Sequence, residues 1–312
     1  MVDLSVNLNG FKLQNPIMTA SGTYGYCDEY DDFIDVSKLG AIVTKAISIE
    51  PKKGNTGERL FETYGGMINR IGLENLGIEE FISKKLPILK EKNINYVMNL
   101  AGSTVEDYIK AAEIAQNAEI KAIEVNVSCP NVKQGCLEFG TNPNSLGNLT
   151  SAIRKIYKGF LIIKLTPNVS DIESLAKSAE DNGADCISAI NTLKGLGVKV
   201  EITPDKKIKK TFVQGGLSGR CIKPVALSMV KRIKASVKIP IIGIGGIANI
   251  DDVLEFLTVG ADAIQIGTEN FCHPDITIKL INELTKIIES LNLESLDELK
   301  RKLRDEWYKS WC

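Results

Sequence analysis

Histidine is almost absent: one residue, His273, stands among 312. It precedes Pro274 after an apolar run, the setting of a loop or a helix entry. Chemistry relayed through imidazole would have to use that single side chain. Cysteine is present but not clustered. Cys27, Cys129, Cys136, Cys186, Cys221, Cys272 and Cys312 are odd in number and scattered, which argues against a disulfide framework. A zinc or iron–sulfur centre needs about four grouped soft ligands. Cys129 and Cys136 have no second pair and no histidine nearby, so no metal is expected on this chain. Charge of one sign is lacking too. The formal net charge is -1, and neither nucleic acid nor an anionic membrane is indicated. No apolar run reaches the roughly 20 residues that span a bilayer. The start, Met1-Val-Asp-Leu-Ser-Val6, lacks the basic and long apolar regions of a signal peptide. The expected location is the cytoplasm.

What is there is an apolar content of 44%, ample for a core, in a repeating arrangement. Alternation in Leu4-Ser-Val-Asn-Leu8, a turn at Asn9-Gly10 and a return at Phe11-Lys-Leu13 signal an opening hairpin. After Pro16 the order becomes apolar strand, polar loop, capped helix. Strands are predicted at Ile17–Ala20, Ala41–Lys45, Tyr96–Leu100, Ala122–Val127, Leu161–Leu165, Cys186–Ile190, Ile239–Ile244 and Ala263–Ile266. Their continuous apolar character suits strands buried on both faces of a parallel sheet. Capping boxes are read at Ser103-Thr-Val-Glu106 and Ser170-Asp-Ile-Glu173. A last helix is predicted from Ser295, with Leu296, Leu299, Leu303 and Trp307 on one side. Gly183-Ala184-Asp185 recurs as Gly260-Ala261-Asp262, each time just before a strand.

These units predict an α/β fold, a single (β/α)8 TIM barrel with an N-terminal hairpin and long active-site loops, residues 1–312 forming one domain. A doubly wound sheet is the alternative, but Ser21-Gly-Thr-Tyr-Gly25 lacks a dinucleotide fingerprint. Residues 46–80 and 191–220 are long connections, the second with a hairpin at Val198–Ile202 and Ile208–Val213. Such loops often cover active sites.

A barrel of this kind works at the carboxyl ends of its strands. Those ends offer Ser21, Lys45, Asn99, Asn126, Lys164, Asn191 with Thr192, Gly245 with Gly246, and Gly267 with Thr268. The last two suit a phosphate, because glycine lets backbone N–H groups approach an anion. Lys45 and Lys164 end apolar strands, where a lysine is costly to bury without a partner. Each reads as a Schiff-base lysine, as a fixed cation against a flavin or a carboxylate, or as a side chain reaching back to solvent. Asn126-Val-Ser-Cys-Pro-Asn-Val-Lys133 sets a thiol, two carboxamides and a cation at one strand end. Cys129 is a nucleophile, a general base or a packed core residue on these grounds alone.

At these residues the chain resembles the class 1 dihydroorotate dehydrogenases, flavin enzymes of pyrimidine biosynthesis. The likeness rests on Asn15-Pro-Ile-Met-Thr-Ala-Ser-Gly22, Thr44-Lys-Ala46, Gly66-Met-Ile-Asn-Arg-Ile-Gly-Leu73, Glu124-Val-Asn-Val-Ser-Cys-Pro-Asn131, Lys164-Leu-Thr-Pro167, Ile190-Asn-Thr192, Gly215-Gly-Leu-Ser-Gly219 and Gly243–Gly246. Thr44–Pro51 fits subtype 1B better than the fumarate-using 1A.

The resemblance implies FMN contacts at Ser21, Lys45, Ala46, Asn99, Asn126, Lys164, Ile190, Gly216, Gly245, Gly246, Gly267 and Thr268. It implies dihydroorotate contacts at Lys45, Asn69, Arg70, Ile71, Gly72, Leu73, Asn126, Asn131, Asn191 and Thr192. Cys129 would take the C5 proton while hydride passes from C6 to flavin N5. A partner subunit with FAD and a 2Fe-2S cluster would carry electrons to NAD, in a heterotetramer built on a homodimer. Other readings stay open: a 1A-like fumarate-using enzyme, a flavin barrel for another dihydropyrimidine, a Schiff-base phosphate-binding lyase, or a non-catalytic subunit. The chain departs from the family pattern at Cys136, where glycine is common, and at Gly57-Glu58-Arg59.

Overall fold

The structure, a computed structural model, describes residues 2–26, 28–30, 32–128 and 139–305. It opens with the hairpin of β1 (Val6–Leu8) and β2 (Phe11–Leu13). Asn9 and Gly10 turn it with φ of 46° and 99°, the left-handed pair that an Asn-Gly turn supplies. The strands that follow are β3 (Ile17–Thr19), β4 (Ala41–Val43), β5 (Leu60–Thr63), β6 (Gly66–Asn69), β7 (Tyr96–Leu100), β8 (Ala122–Asn126) and β9 (Phe160–Leu165). After them come β10 (Cys186–Ala189), β11 (Leu193–Ile202), β12 (Ile208–Ser218), β13 (Ile241–Ile244) and β14 (Ala263–Ile266).

Strands β3, β4, β7, β8, β9, β10, β13 and β14 close, in that order, into a parallel barrel. Every predicted barrel strand is present, and the ends differ slightly for physical reasons. β4 stops short of Lys45, whose amide turns away to donate to the Gly25 carbonyl. β13 begins only after Pro240, which has no N–H for the ladder. The strands are buried on both faces, β9 along its whole length, which is why their sequences are continuously apolar.

Helices pack outside with one apolar stripe inward. In Ile172–Asp181 that stripe is Ile172, Leu175, Ala176 and Ala179, and Gly183 at φ 98° leads the chain out. Two caps lie one residue beyond the sequence expectation. Thr104, not Ser103, accepts from the Asp107 amide, and the Asp107 carboxylate returns the bond. Asp171, not Ser170, caps Ile172–Asp181, because Glu173 is taken up by a two-pronged pair with Arg232 at 2.6 Å. In the last helix Leu296 and Leu299 are buried and Leu303 is partly so; Trp307 lies outside the described residues.

The barrel's two ends are built differently. The β1–β2 hairpin covers the amino end: Phe11 stacks on Phe160, the first residue of β9, at 5.1 Å, and Asn9 donates to the Asp185 carbonyl just before β10. Above the carboxyl end stands an antiparallel sheet in the order β11-β12-β6-β5. Its outer hairpin is longer than the sequence predicts. The pairing runs from Ile202–Ile208 back to Leu193–Leu217, beside the barrel mouth. The companion hairpin β5–β6 is not predicted by the sequence, because Gly65-Gly66 lies inside a long connection without clear alternation.

Candidate active site

Inside the barrel, two residues below the mouth, sits a charged side chain. Glu124 of β8 is fully buried. Its Oε1 accepts from Asn99 Nδ2 at 2.7 Å and Lys164 Nζ at 3.3 Å. Its Oε2 accepts from Ser188 Oγ and Gln265 Nε2, both at 2.8 Å. These partners come from β7, β9, β10 and β14, so one carboxylate ties five strands together. Alternation puts Asn126 on the same face as Glu124, one step nearer the mouth. Asn126 is level with Lys164 in the β8–β9 register.

The mouth gathers carboxamides. Asn191 Nδ2 donates to Asn126 Oδ1 at 3.1 Å, and the Ser128 amide donates to the same oxygen at 3.1 Å. Asn191 Oδ1 in turn accepts from the Thr192 amide at 2.8 Å. Tyr108 donates its hydroxyl to the Asn126 carbonyl at 2.6 Å, which pins the strand end. Asn69 closes β6 opposite Gly216 and donates to its carbonyl at 3.1 Å. A side chain at Gly216 would collide with Thr192 Oγ1, so this glycine is required by the approach of β12 to the mouth.

The loop after Asn69 is shaped by its neighbours. Arg70 donates its amide to the Arg59 carbonyl, and the Ile71 carbonyl accepts from the Asn55 amide. Gly72 has φ 79°, and a Cβ there would press on Asn55 at 2.7 Å. Leu73 holds a left-handed φ of 58°, a strained state for a branched side chain; its carbonyl is fixed by Asn75 Nδ2 at 2.7 Å. On the same side Lys45 Nζ lies 4.0 Å from Glu74, and Arg59 lies 2.5 Å from the same carboxylate oxygen. The Arg59 guanidinium, with Lys45 behind it, holds the Glu74 carboxyl below the usual carboxylate range. Lys45, just past the end of β4, therefore has its charge only loosely matched.

The glycines at the phosphate end differ in why they are glycines. Gly245 and Gly246 have φ of 130° and 73°, and side chains there would press on Ala226 and Lys223 at 2.7 and 2.8 Å. Packing alone accounts for them. Gly267 is different: a Cβ would meet only Ala20, at an ordinary 3.7 Å. The protein leaves open space above it, beside Thr268, whose hydroxyl donates to Ser218 Oγ at 2.8 Å. Lys164 is 5% exposed, and Glu124 is its one partner among the described residues. Asn99 Oδ1 and Gln265 Oε1 are buried without a partner among them. An ammonium with unused donors, buried unpaired acceptors and a bare glycine fit a flavin nucleotide, whose ring edge carries both donors and acceptors and whose tail is anionic.

A family model described as dihydroorotate dehydrogenase matches residues 3–288. The chain belongs to the dihydroorotate dehydrogenase family. Among curated proteins it is 47% identical over 300 residues to the catalytic subunit of dihydroorotate dehydrogenase B (NAD(+)) from Parabacteroides distasonis, covering 96% of this chain and 97% of that one. It is 45% identical to the protein of the same name from Bacteroides fragilis, covering 96% and 98%. The relative of that name from Thermoanaerobacter sp. is 44% identical, again over 96% and 98%.

Of the residues singled out from the sequence, Lys45, Ala46, Asn99, Asn126, Lys164, Ile190, Asn191 and Thr192 lie at or just past the ends of barrel strands. Ser21 follows β3, after Ala20 bonds to Ile266. Asn69 and Gly216 reach the mouth from the upper sheet. Arg70 and Ile71 use their backbones within the loop that borders it. Cys129 and Asn131 lie outside the described residues, as does Cys136. Cys186, by contrast, is buried in β10, and burial pushes its thiol well up, as for an inert core cysteine. Glu124, Ser188, Gln265, Arg59 and Glu74 were missed. The first three carried a signal: each is a polar residue inside an otherwise apolar barrel strand.

Proposed function

We infer that this chain is the FMN-bearing catalytic subunit of an NAD-linked dihydroorotate dehydrogenase, oxidising dihydroorotate to orotate for pyrimidine synthesis. The observation that carries this reading is the meeting of Lys45, Asn69, Asn126, Asn191 and Thr192 at one barrel mouth in a member of this family. Carboxamides offer donors and acceptors together, which a cyclic urea and amide need. The Asn191–Asn126 bond keeps both carboxamides in fixed orientations before substrate arrives. Lys45 supplies positive charge for the substrate carboxylate. The loop of Asn69, Arg70, Ile71, Gly72 and Leu73 borders the same space, and Asn131 completes the substrate set.

FMN, when bound, supplies the hydride acceptor for C6 of the substrate. The groups that hold it are Ser21, Lys45, Ala46, Asn99, Asn126, Lys164, Ile190, Gly216, Gly245, Gly246, Gly267 and Thr268, the last three with Gly245 at the phosphate. Cys129 removes the C5 proton. A thiol has an ordinary pKa of about 8.5, so modest tuning makes it a base near neutrality. Electrons leave through a partner subunit carrying FAD and a 2Fe-2S cluster, in a heterotetramer built on a homodimer. No helix among the described residues is long and apolar enough to cross a membrane, and we assign the enzyme to the cytoplasm.

Orotate formation tests this reading. Purified protein loaded with FMN should convert dihydroorotate to orotate with an artificial electron acceptor. It should reduce NAD only once the partner subunit is added. No orotate with any acceptor would overturn the substrate; NAD reduction by this chain alone would overturn the partner.

A further inference from the structure

The carboxylate of Glu124 is closed off from solvent, yet it accepts four side-chain hydrogen bonds from the barrel strands. We propose that Glu124 is a positioning residue for the flavin. Through Lys164 it sets how much positive charge the barrel presents to bound FMN, and so sets the reduction potential of that FMN. This rests on the FMN reading above.

The geometry carries the argument. Four donors from four strands hold Glu124, two on each oxygen. All four donate, so both oxygens act as acceptors, the role of a carboxylate. Asn99, Ser188 and Gln265 fix its plane, and it cannot swing to embrace Lys164. The Lys164–Glu124 distance of 3.3 Å is longer than the roughly 2.7–2.9 Å of a strong charge-assisted bond. An ammonium has three donors, and Glu124 is the one acceptor it meets among the described residues. Lys164 is thus a tethered cation, partly offset by the acid beneath it, with donors left for a ring at the mouth.

The amides are set the same way. Because Glu124 takes the N–H2 groups of Asn99 and Gln265, their carbonyl oxygens are turned elsewhere, buried and without partners among the described residues. Stability alone does not call for such an arrangement. An apolar layer of equal volume would fill a barrel at least as well as a buried ion pair. The polar layer lies directly below the mouth, where charge arriving on a flavin would be felt.

The sign follows from charge. Reduction adds negative charge to the flavin, which the Lys164 cation favours and the Glu124 carboxylate opposes. Removing the negative charge while keeping the shape should raise the potential. The site can accept Glu124→Gln without leaving a donor facing a donor. The introduced amide can keep its oxygen toward Lys164 and Asn99. The Ser188 hydroxyl can rotate to accept, and Gln265 can turn its unused carbonyl oxygen inward.

The experiment is a redox titration of bound FMN, without dihydroorotate, in the wild-type protein, Glu124→Gln and Ser188→Ala. In Glu124→Gln the ratio of reduced to oxidised FMN at a fixed external potential should rise at least tenfold, about 30 mV for a two-electron couple. Ser188→Ala deletes one donor to the carboxylate, leaves its charge less dispersed, and should shift the ratio the other way by a smaller factor. A Glu124→Gln protein that keeps FMN at the wild-type potential, or at a lower one, would overturn the proposal. If Glu124→Gln misfolds or sheds FMN, Ser188→Ala decides: an opposite shift supports the proposal and an unchanged potential overturns it. Wild-type protein that binds no FMN would instead overturn the functional reading itself.

Discussion

The two ends of the barrel are made from the same eight strands and solve different problems. At the amino end, apolar residues from β1 and β2 close the barrel, with Leu8 and Leu13 almost wholly buried and Phe11 stacked on Phe160. Polar contacts there satisfy backbone carbonyls, as Asn95 does for Lys12 and Gly40. At the carboxyl end, polar groups are concentrated, and several lack partners among the described residues. One end is arranged for burial. The other keeps hydrogen-bonding capacity in reserve, as a site that must receive a ligand does.

That contrast can be broken by substitution. The largest effect is expected at Cys129→Ser. Flavin reduction by dihydroorotate near neutral pH should slow by about 10²–10⁴-fold, with FMN content unchanged, as stopped-flow absorbance would record. Lys164→Met comes next. It strands the Glu124 carboxylate in the barrel, which should cost about 3–5 kcal/mol of stability and release FMN; denaturant unfolding and flavin absorbance read the two effects separately. Phe11→Ala tests the opposite end. It should cost about 3 kcal/mol, the low end for a core aromatic, while the flavin reduction rate of the folded protein stays at its wild-type value. A lowered rate there would mean that the two ends are not independent. The mildest change to folding is Gly267→Ala, expected within about 0.5 kcal/mol of wild type because its space is open. Equilibrium dialysis should nevertheless show weaker FMN binding, since the added methyl would occupy the nucleotide's path.

The barrel was largely legible in the sequence because strands buried on both faces must be continuously apolar, and Asn9-Gly10 and Gly183 mark turns that few other residues can make. Much of the mouth was legible too, since a strand end followed by Lys, Asn or Gly departs from that apolar rule. The upper sheet was less so. β5 reads Leu-Phe-Glu-Thr and is only partly buried, so its alternation is weak, and its pairing with β6 and β12 depends on contacts far apart in the chain. The Glu124 cluster was hidden for a related reason. Its partners lie on separate strands, spread from Asn99 to Gln265, and only barrel closure brings them onto one carboxylate.

The most direct test of the account is anaerobic. Purified protein loaded with FMN is mixed with dihydroorotate, and the flavin absorbance is followed. The account predicts rapid bleaching, which would place flavin and substrate at the same mouth. A bound flavin that stays oxidised would contradict it and leave the barrel with a different substrate.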